Sequence, residues 1–459
     1  MKKFDIITIG SGGGSKITSP AASKGYKVAV IEKDQLGGTC LNRGCIPSKM
    51  LIHPADVAMT IKEAAQFDIH HNPAFSVDFK KLIERINNTV GHDSTSIETS
   101  YGKNANITLY KGQARFVSNK VIAINGEEIT ADKIFIAVGT RPSIPNIPGL
   151  AGTPYMTSTE ALRNTTLPSA MIIIGGGYIA CELGHAYGAL GTKTTFLVRS
   201  TMLRAEDSEV ATEFNKTFAK QHDIKFGAVP TRVVYENKTF TVFYTINNQE
   251  TSVSAPSLLI ATGITSNVDT LDILNTDIEI KQGNFIKVNE YLETSVPNIW
   301  AMGDCIGHYF FRHSVNFEGE YLFDYIFNNN PKSPIQYPPV PHAVFTYPQV
   351  AGVGQTEDDL KKSGIDYVVG HNPYKSSAMG MALLSDHGFC KLLFERKTRK
   401  LVGAHIIGPE ASDMIHMPIA FMNMNATLDD MLRTIYIHPA LPEIVRNAAR
   451  KAKVIFDKG

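Results

Sequence analysis

Two glycine-rich turns, each between a buried strand and a helix, constrain the fold of this chain more than any other feature. Residues 4–10 (FDIITIG) are almost continuously apolar and end on glycine, which is typical of a buried parallel strand. A helix follows to about Gly25, and a second apolar strand covers 27–32 (KVAVIE). The same order of strand, turn, helix and strand recurs over 171–198. Two such β-α-β units predict two dinucleotide-binding domains rather than a short-period repeat array.

The first turn carries the residues that a bound dinucleotide requires. Gly10 and Gly12 allow the backbone to approach a pyrophosphate, and Glu32 follows at the end of the next strand. The helix N-terminus supplies N–H donors, and the carboxylate accepts from ribose hydroxyl groups. Ser15 stands where a third glycine is usual, although Gly13 keeps the turn permissive. A plain turn is the alternative, but strand, helix and terminal acid together predict a dinucleotide site.

The second turn, Gly175-x-Gly177, indicates a phosphorylated nicotinamide coenzyme. Val198 occupies the position of the ribose-binding acid, and Arg199 and Arg204 come after it. A carboxylate there would repel a 2′-phosphate, whereas guanidinium groups bind one bidentately. The sequence therefore favours NADPH over NADH. The alternative is that both arginines are ordinary surface charges.

A close pair of cysteines, Cys40 and Cys45, lies within 37–49 (GGTCLNRGCIPSK). Their spacing fits neither a Cys-x-x-Cys zinc site nor a thioredoxin-type motif, so we predict no metal. It allows a disulfide across a distorted helical turn, next to the cations Arg43 and Lys49, which favour a thiolate. A pair of inert buried cysteines is the alternative. We expect the remaining cysteines to act as small buried hydrophobic residues, namely Cys181, Cys305 and Cys390.

Length and charge exclude several other classes of protein. A chain of 459 residues is too long for one hydrophobic core. Its 45 basic and 44 acidic residues leave a net charge of +1, so we expect no nucleic-acid partner. No apolar run reaches the roughly 18 residues that span a bilayer, and no signal peptide precedes the first strand. We therefore expect no membrane partner and a cytoplasmic location.

Over essentially its whole length the chain resembles the class I pyridine nucleotide–disulfide oxidoreductases, which include dihydrolipoamide dehydrogenase and glutathione, mycothione and mercuric reductases. Beyond the first turn and the cysteine segment, the resemblance rests on IFIAVGTRP (134–142), GGGYIACE (175–182), TSVPNIWAMGDC (294–305), FTYPQVAGVG (345–354) and IHPALPE (437–443). It implies an α/β fold with two Rossmann-like dinucleotide-binding domains and a C-terminal α+β dimerisation domain. The implied divisions are an FAD-binding domain over 1–148 and 270–333, an NAD(P)-binding domain over 149–269, and a dimerisation domain over 334–459.

The resemblance also implies roles for individual residues. Cys45 is then the sulfur next to the flavin, and Cys40 is the sulfur that exchanges with a small disulfide or dithiol. His438 is the acid–base group and Glu443 its orienting carboxylate. In this family that pair reaches the active site of the partner subunit, so a homodimer is implied. Tyr178 resembles a gating tyrosine beside the docked nicotinamide of NADPH or NADH.

Other positions resemble the family's contacts to FAD and coenzyme. Lys49 and Glu182 match an ion pair near the flavin ring. Asp304 matches the carboxylate on the ribityl chain, with a helix cap as its alternative. The remaining implied contacts lie at small residues, which are Gly38, Thr39, Ala114, Gly139 and Gly263.

The motifs conflict on the substrate. The segment 45–49 (CIPSK) is most similar to dihydrolipoamide dehydrogenase, whereas Tyr178 and Arg199 are typical of glutathione reductase and its NADPH-using relatives. The stretch 48–58 (SKMLIHPADVA) resembles mycothione reductase. We predict a dihydrolipoamide dehydrogenase-like oxidoreductase that leans to NADPH. The alternatives are an NADPH-dependent reductase of a low-molecular-weight disulfide and a non-catalytic FAD-binding protein.

Overall fold

A computed structural model describes residues 1–70, 75–328, 330–331 and 333–458. The chain forms two compact units. The first comprises Met1–Met50, Lys81–Ser143 and Gly263–Gln336, and the second comprises Leu51–Lys80, Ile144–Thr262 and Tyr337–Gly459. The division into three domains stays a prediction, because the second unit includes both the predicted coenzyme-binding and the predicted dimerisation segments. Within the described ranges, no helix has the length and apolar character that crossing a membrane requires.

Short strands and helices of varied length follow one another along the chain. The strands are, in chain order, β1 Lys2–Ile9, β2 Val28–Glu32, β3 Ile107–Lys111, β4 Arg115–Ser118, β5 Val121–Ile124, β6 Glu127–Ile136, β7 Thr140–Pro142, β8 Ala170–Ile174, β9 Lys193–Val198, β10 Asp223–Phe226, β11 Val229–Glu236, β12 Thr239–Ile246, β13 Gln249–Ala255, β14 Ser257–Ile260, β15 Ile264–Ser266, β16 Ile280–Lys281, β17 Phe285–Ile286, β18 Ile299–Ala301, β19 His342–Val344, β20 Gln349–Gly354, β21 Tyr367–Pro373, β22 Phe389–Glu395 and β23 Leu401–Gly408. The helices are α1 Ser15–Ser23, α2 Gly38–Arg43, α3 Cys45–Glu63, α4 Phe79–Lys103, α5 Ser158–Ala161, α6 Tyr178–Leu190, α7 Ser208–Phe218, α8 Arg312–Phe327, α9 Glu357–Ser363, α10 Ala378–Ala382, α11 Ala411–Met414, α12 His416–Asn423, α13 Leu428–Arg433 and α14 Glu443–Asp457.

The first unit is built on a mixed sheet with the strand order β3-β2-β1-β6-β5-β4, and β18 pairs with the end of β6. The pairs among β1, β2, β3, β6 and β18 are parallel, whereas β4 and β5 are antiparallel additions. Ile6 and Ile7 of β1 are completely buried, as the continuous apolar run predicts. The carboxyl ends of parallel strands meet at one edge, so the turn after β1 and the end of β2 lie together.

Among its described residues, the second unit contains three sheets. A parallel sheet has the order β10-β9-β8-β14, and its helix α6 follows β8 as the sequence predicts. The strands β11, β12 and β13 form an antiparallel sheet. A five-stranded antiparallel sheet has the order β19-β20-β23-β22-β21. The second glycine turn follows β8, another loop follows β9, and α14 packs against β21 and β22.

A buried lysine of the second unit lies within ion-pair distance of three carboxylates. The side chain of Lys391 in β22 is 1% exposed. Its Nζ lies 3.0 Å from Asp207 Oδ1, 3.1 Å from Glu209 Oε2 and 2.6 Å from Glu357 Oε2. Burial alone would lower the pKa of Lys391, but the hydrogen bonds and charges of these acids raise it. The cluster joins β22 to α7 and α9.

We expect Lys391→Met to lower the free energy of unfolding by about 3–5 kcal/mol, because it leaves the buried carboxylate of Asp207 without its partner. Thermal unfolding at neutral pH measures this change. Lys361→Met is the matched control: Lys361 pairs with the same Glu357 but is 57% exposed, so the loss should be much smaller. Equal losses in the two variants would contradict the assignment.

We expect the cluster of Lys391 and its carboxylates to lose its stabilising contribution at low pH. Hydrogen bonds to His371 and Lys391 lower the pKa of Glu209 to about 2. Partial burial opposes ionisation of Glu357, yet hydrogen bonds to Lys391 and Tyr367 lower its pKa to about 2. Since both values lie below the ordinary 4.5, the stabilisation is present above that pH and is lost as the pH falls toward about 2.

Candidate active site

The first glycine turn and the end of β2 form a hydrogen-bonded cradle. Gly10 has a φ of +98°, and a Cβ there would lie 2.3 Å from Ala137 O. Ser11 donates from its backbone N and its Oγ to Glu32 Oε2, at 2.9 and 2.7 Å. The other oxygen of Glu32 accepts from Asp34 N at 3.1 Å. A carboxylate offers about four acceptor sites, so Glu32 can still accept from a ribose hydroxyl.

The rest of the first unit fits an FAD molecule on this cradle. A Cβ on Gly139 or Gly263 would meet no atom within 4 Å, so open space flanks both predicted contacts. Thr140 Oγ1 donates to Asp304 Oδ2 at 2.7 Å, and burial raises the pKa of Asp304. Asp304 lies well before the start of α8 and does not cap that helix. Ala114 is buried between β3 and β4.

The two predicted redox cysteines lie at the junction of two helices. Cys40 belongs to α2 and is half-buried, whereas Cys45 begins α3 and is exposed. Gly44 between them leaves the helical region, with φ −140° and ψ −116°. Both side chains are free thiols, and a hydrogen bond between them, together with burial, raises the pKa of Cys40. The structure thus brings the pair together without a continuous helix.

A close backbone contact places α2 against the glycine turn. Gly38 has a φ of +69°, and a Cβ there would lie 2.6 Å from the Cα of Gly12. Asn42 holds the start of the helix by donating from Nδ2 to Leu36 O at 2.9 Å and Gly38 O at 3.0 Å. Thr39 is exposed next to this contact. The dinucleotide cradle and the thiol pair are therefore neighbours within one unit.

Arg312, the first residue of α8, was not identified from the sequence. Its Nη1 would lie 3.8 Å from a Cβ on Gly12. Gly13 packs on the same helix, because a Cβ there would be 2.4 Å from Val315 Cγ2. The positive charge of Arg312 acts against the rise in the pKa of Cys40 described above. Arg312 therefore acts electrostatically on the thiol pair from beside the glycine turn.

The cations predicted to favour a thiolate have different surroundings. Arg43 forms an ion pair with Asp34. Lys49 lies half-buried in α3 of the first unit. Glu182, its predicted partner, is buried in α6 of the second unit, where its Oε1 accepts from Phe345 N at 3.1 Å. The Lys49–Glu182 pair stays a prediction.

The second glycine turn, Gly175–Gly177, connects β8 to α6. The loop after β9 is tied to it, since Leu203 N donates to Gly176 O at 2.8 Å. Arg199 and Arg204 are exposed on this loop, and within the described part of the chain neither guanidinium forms a hydrogen bond or ion pair. Two uncompensated guanidinium groups beside such a turn suit a phosphate monoester.

Tyr178 begins α6 and is held by two residues that sequence reasoning missed. Its hydroxyl donates to Glu206 Oε1, and His342 Nε2 lies 2.8 Å from Glu206 Oε2. Burial and the neighbouring carboxylate raise the pKa of Tyr178. Burial alone would raise the pKa of Glu206, but the hydrogen bond from His342 lowers it. Glu206 is thus an ionised carboxylate fixed through both oxygens.

His438 and Glu443 form the predicted imidazole–carboxylate pair just before and at the start of α14. The side chain of His438 is 71% exposed and that of Glu443 is 4% exposed. His438 Nδ1 lies 3.0 Å from Glu443 Oε2, which also accepts from Ala440 N at 3.2 Å. Arg446 Nη2, which the sequence did not single out, donates to Glu443 Oε1 at 2.6 Å. With Nδ1 engaged, Nε2 of His438 is the nitrogen left for proton exchange.

Desolvation opposes ionisation of Glu443, but hydrogen bonds from Ala440 and His438 lower its pKa. Glu443 is therefore a carboxylate at neutral pH. It can orient the imidazole and stabilise its charged form.

The three remaining cysteines are completely buried: Cys181, Cys305 and Cys390. Burial raises the pKa of Cys305 to about 12 and raises the pKa of the other two thiols as well. All three are closed to solvent, whereas Cys40 is half-buried and Cys45 is exposed, so Cys40 and Cys45 are the accessible thiols.

Known proteins show the same architecture along the whole chain. Residues 4–320 match the family described as pyridine nucleotide-disulphide oxidoreductase, and residues 340–449 match the dimerisation domain of that family. Mycothione reductase of Mycobacterium tuberculosis is 34% identical over 98% of this chain and 99% of that protein. Dihydrolipoyl dehydrogenase of Bacillus subtilis is 31% identical over 98% of each chain.

The solved structure of the HOCl-induced flavoprotein disulfide reductase RclA from Escherichia coli aligns with a TM-score of 0.87. Its identity is 27%, over 98% of this chain and all of that one. Members of the matched family are oxidoreductases that contain FAD and use NADH or NADPH, which confirms the predicted fold class, enzyme class and cofactors. The chain belongs to the pyridine nucleotide-disulphide oxidoreductase family.

Proposed function

We propose that the chain transfers electrons between NADPH and a small disulfide, with Cys40 and Cys45 as its redox-active pair. The observation that supports this most is the hydrogen-bonded pair of thiols at the junction of α2 and α3, with α2 in contact with the glycine turn of the Glu32 cradle. Bound FAD would accept two electrons from reduced nicotinamide and deliver them to the disulfide form of the pair. In balance, NADPH, one proton and one disulfide give NADP⁺ and two thiols.

The chain's own residues supply the exchange chemistry. The Cys40 thiolate attacks one substrate sulfur, which breaks the substrate S–S bond and releases the first thiolate. His438 gives that thiolate its proton, while Glu443 holds Nδ1 of the imidazole. The Cys45 thiolate then attacks Cys40 in the mixed disulfide, which releases the second thiol and closes the intramolecular disulfide.

We propose a homodimer in which the His438–Glu443 pair of one subunit serves the thiols of the other. The match of 340–449 to a dimerisation domain supports this arrangement. It accords with the proposed division into FAD-binding (1–148 and 270–333), NAD(P)-binding (149–269) and dimerisation (334–459) domains.

Dihydrolipoamide and lipoamide are the first candidate substrates. The segment 45–49 supports them, as does the similarity to dihydrolipoyl dehydrogenases. A reductase of a mycothione-type or glutathione-type disulfide is the second candidate, because the exposed Arg199 and Arg204 suit NADPH, a coenzyme used for reduction. Steady-state assays with lipoamide, glutathione disulfide and mycothione, each with NADH and NADPH, separate the two. A lack of turnover with all three disulfides would favour a non-catalytic FAD-binding protein.

We expect Arg199→Ala combined with Arg204→Ala to raise the KM for NADPH by about tenfold or more and to leave the KM for NADH within about twofold. Hydrogen bonds to charged groups contribute about 1.5–3 kcal/mol, and only NADPH carries the 2′-phosphate. KM values for both coenzymes measure the effect. Arg163→Ala, at an exposed arginine of the same unit, is the control. Equal changes for NADH and NADPH would contradict phosphate binding at this loop.

A further inference from the structure

We propose that Glu206 and His342 form a latch that holds Tyr178 closed at the coenzyme turn, so that coenzyme entry has to break the Tyr178–Glu206 hydrogen bond. The inference rests on the proposed function in one respect: it takes the Gly175–Gly177 turn as the coenzyme site. Glu206 and His342 act through Tyr178 and are positioning residues.

The first argument is that the acceptor is fixed from both sides. The side chain of Glu206 is 1% exposed, and its two oxygens bind different partners, the Tyr178 hydroxyl and His342 Nε2. His342 comes from β19, and its ring centroid lies 6.1 Å from that of Tyr178. A hydrogen bond to an ionised acceptor is roughly twice as strong as a neutral one. The phenol is therefore anchored at its tip.

The second argument is that open space lies beside the residues that flank Tyr178. A Cβ on the preceding residue, Gly177, would meet no atom within 4 Å. The following residue, Ile179, is 39% exposed. Dinucleotide-binding folds place the pyrophosphate at this helix N-terminus. Tyr178 thus stands at the rim of the space that the coenzyme has to enter.

The third argument connects the latch to phosphate recognition. Glu206 follows the exposed Arg204 by two residues on one short loop. A turn fixes this loop, because Glu206 N donates to Leu203 O at 2.9 Å and Leu203 N donates to Gly176 O at 2.8 Å. A 2′-phosphate bound at Arg204 would therefore act on the same loop that carries the Tyr178 acceptor.

If the latch is open in only a fraction of the molecules, the apparent affinity for the coenzyme is the intrinsic affinity multiplied by that fraction. For a hydrogen bond to a charged group, we expect Tyr178→Phe to lower the KM for NADPH about tenfold. Glu206→Gln keeps a neutral acceptor and should lower the KM for NADPH about threefold to fivefold. His342→Ala leaves Glu206 in place but frees one oxygen of its carboxylate, and should lower the KM for NADPH about threefold.

The test measures NADPH-dependent reduction of ferricyanide by the full-length, FAD-loaded protein. Each NADPH gives one electron to each of two ferricyanide ions, so the assay needs neither Cys40 nor Cys45. A failure of the disulfide proposal would leave this readout intact. Melting temperatures of all variants are measured in parallel, since a merely structural role would lower the melting temperature without lowering the KM for NADPH.

Tyr347→Phe is the matched control, because the Tyr347 hydroxyl donates to the carboxylate of Glu63 elsewhere in the same unit. We expect the control to leave the KM for NADPH unchanged. The ordered fall in KM across Tyr178→Phe, Glu206→Gln and His342→Ala would support the latch. An unchanged or raised KM in Tyr178→Phe would overturn it.

Discussion

Cys45→Ser is expected to reduce disulfide turnover by at least about a thousandfold and to leave FAD bound. A serine hydroxyl can neither resolve a mixed disulfide nor close the pair with Cys40, so the catalytic cycle stops after one exchange. FAD retention is expected because the groups that fit it, Glu32 and Asp304 among them, do not depend on the sulfur. NADPH oxidation with each disulfide substrate measures the loss, and flavin absorbance per protein measures retention.

Cys390→Ala controls for the removal of a sulfur as such. Cys390 is completely buried in β22 of the other unit and should be dispensable for turnover. Ferricyanide reduction by Cys45→Ser should persist, because it needs only the coenzyme and the flavin. Normal disulfide turnover by Cys45→Ser would refute the assigned redox pair.

His438→Ala is expected to lower kcat/KM for the disulfide by about 10²–10⁴-fold, the range of a positioned acid–base group. Glu443→Gln should lower kcat/KM less, by about tenfold, because it removes the negative charge next to His438 but leaves the imidazole. Since hydrogen bonding lowers the pKa of Glu443, its orienting charge is present at neutral pH and is lost only in acid. Steady-state kinetics with an unchanged FAD content checks both effects.

His416→Ala is the matched control, because His416 is another exposed histidine of the second unit and its Nδ1 lies 3.1 Å from Ser412 O. Mixing Cys45→Ser and His438→Ala subunits tests the subunit arrangement. If the pair acts across a two-fold dimer, each hybrid has one intact site, and random exchange restores about a quarter of wild-type activity. No recovery from hybrids of verified composition would contradict the shared site.

The β-α-β units could be predicted because their signals are local. Continuous apolar runs and glycines predict β1, α1 and β2, and the observed bounds differ from the predicted ones by a few residues. The resemblance to the family also implied the pairing of His438 with Glu443, whose side chains lie within hydrogen-bond distance. The cysteine segment was less accurate: a single distorted helical turn was expected, but Gly44 separates two helices.

The groups that modulate the site could not be predicted because they meet only through tertiary contacts. Lys391 lies in a strand whose alternation offers no sign that its ammonium group is buried among acids of α7 and α9. His342 and Glu206 are 136 positions apart and neither belongs to a motif used to identify the family. In the sequence, nothing distinguishes Arg312 from other basic residues at the start of a helix. Only the fold brings it close to the glycine turn. Such long-range pairs leave no periodic signal.

The backbone contact between Gly12 and Gly38 limits how proteins built on this plan can diverge. Because the two segments touch without intervening side chains, no repacking of neighbours can relieve an added methyl group at position 38, 2.6 Å from a Cα. We therefore expect the distance between α2, which carries Cys40, and the glycine turn to tolerate little change. We expect substitutions that alter substrate preference to be tolerated best at exposed residues, where side chains can be exchanged without moving that helix.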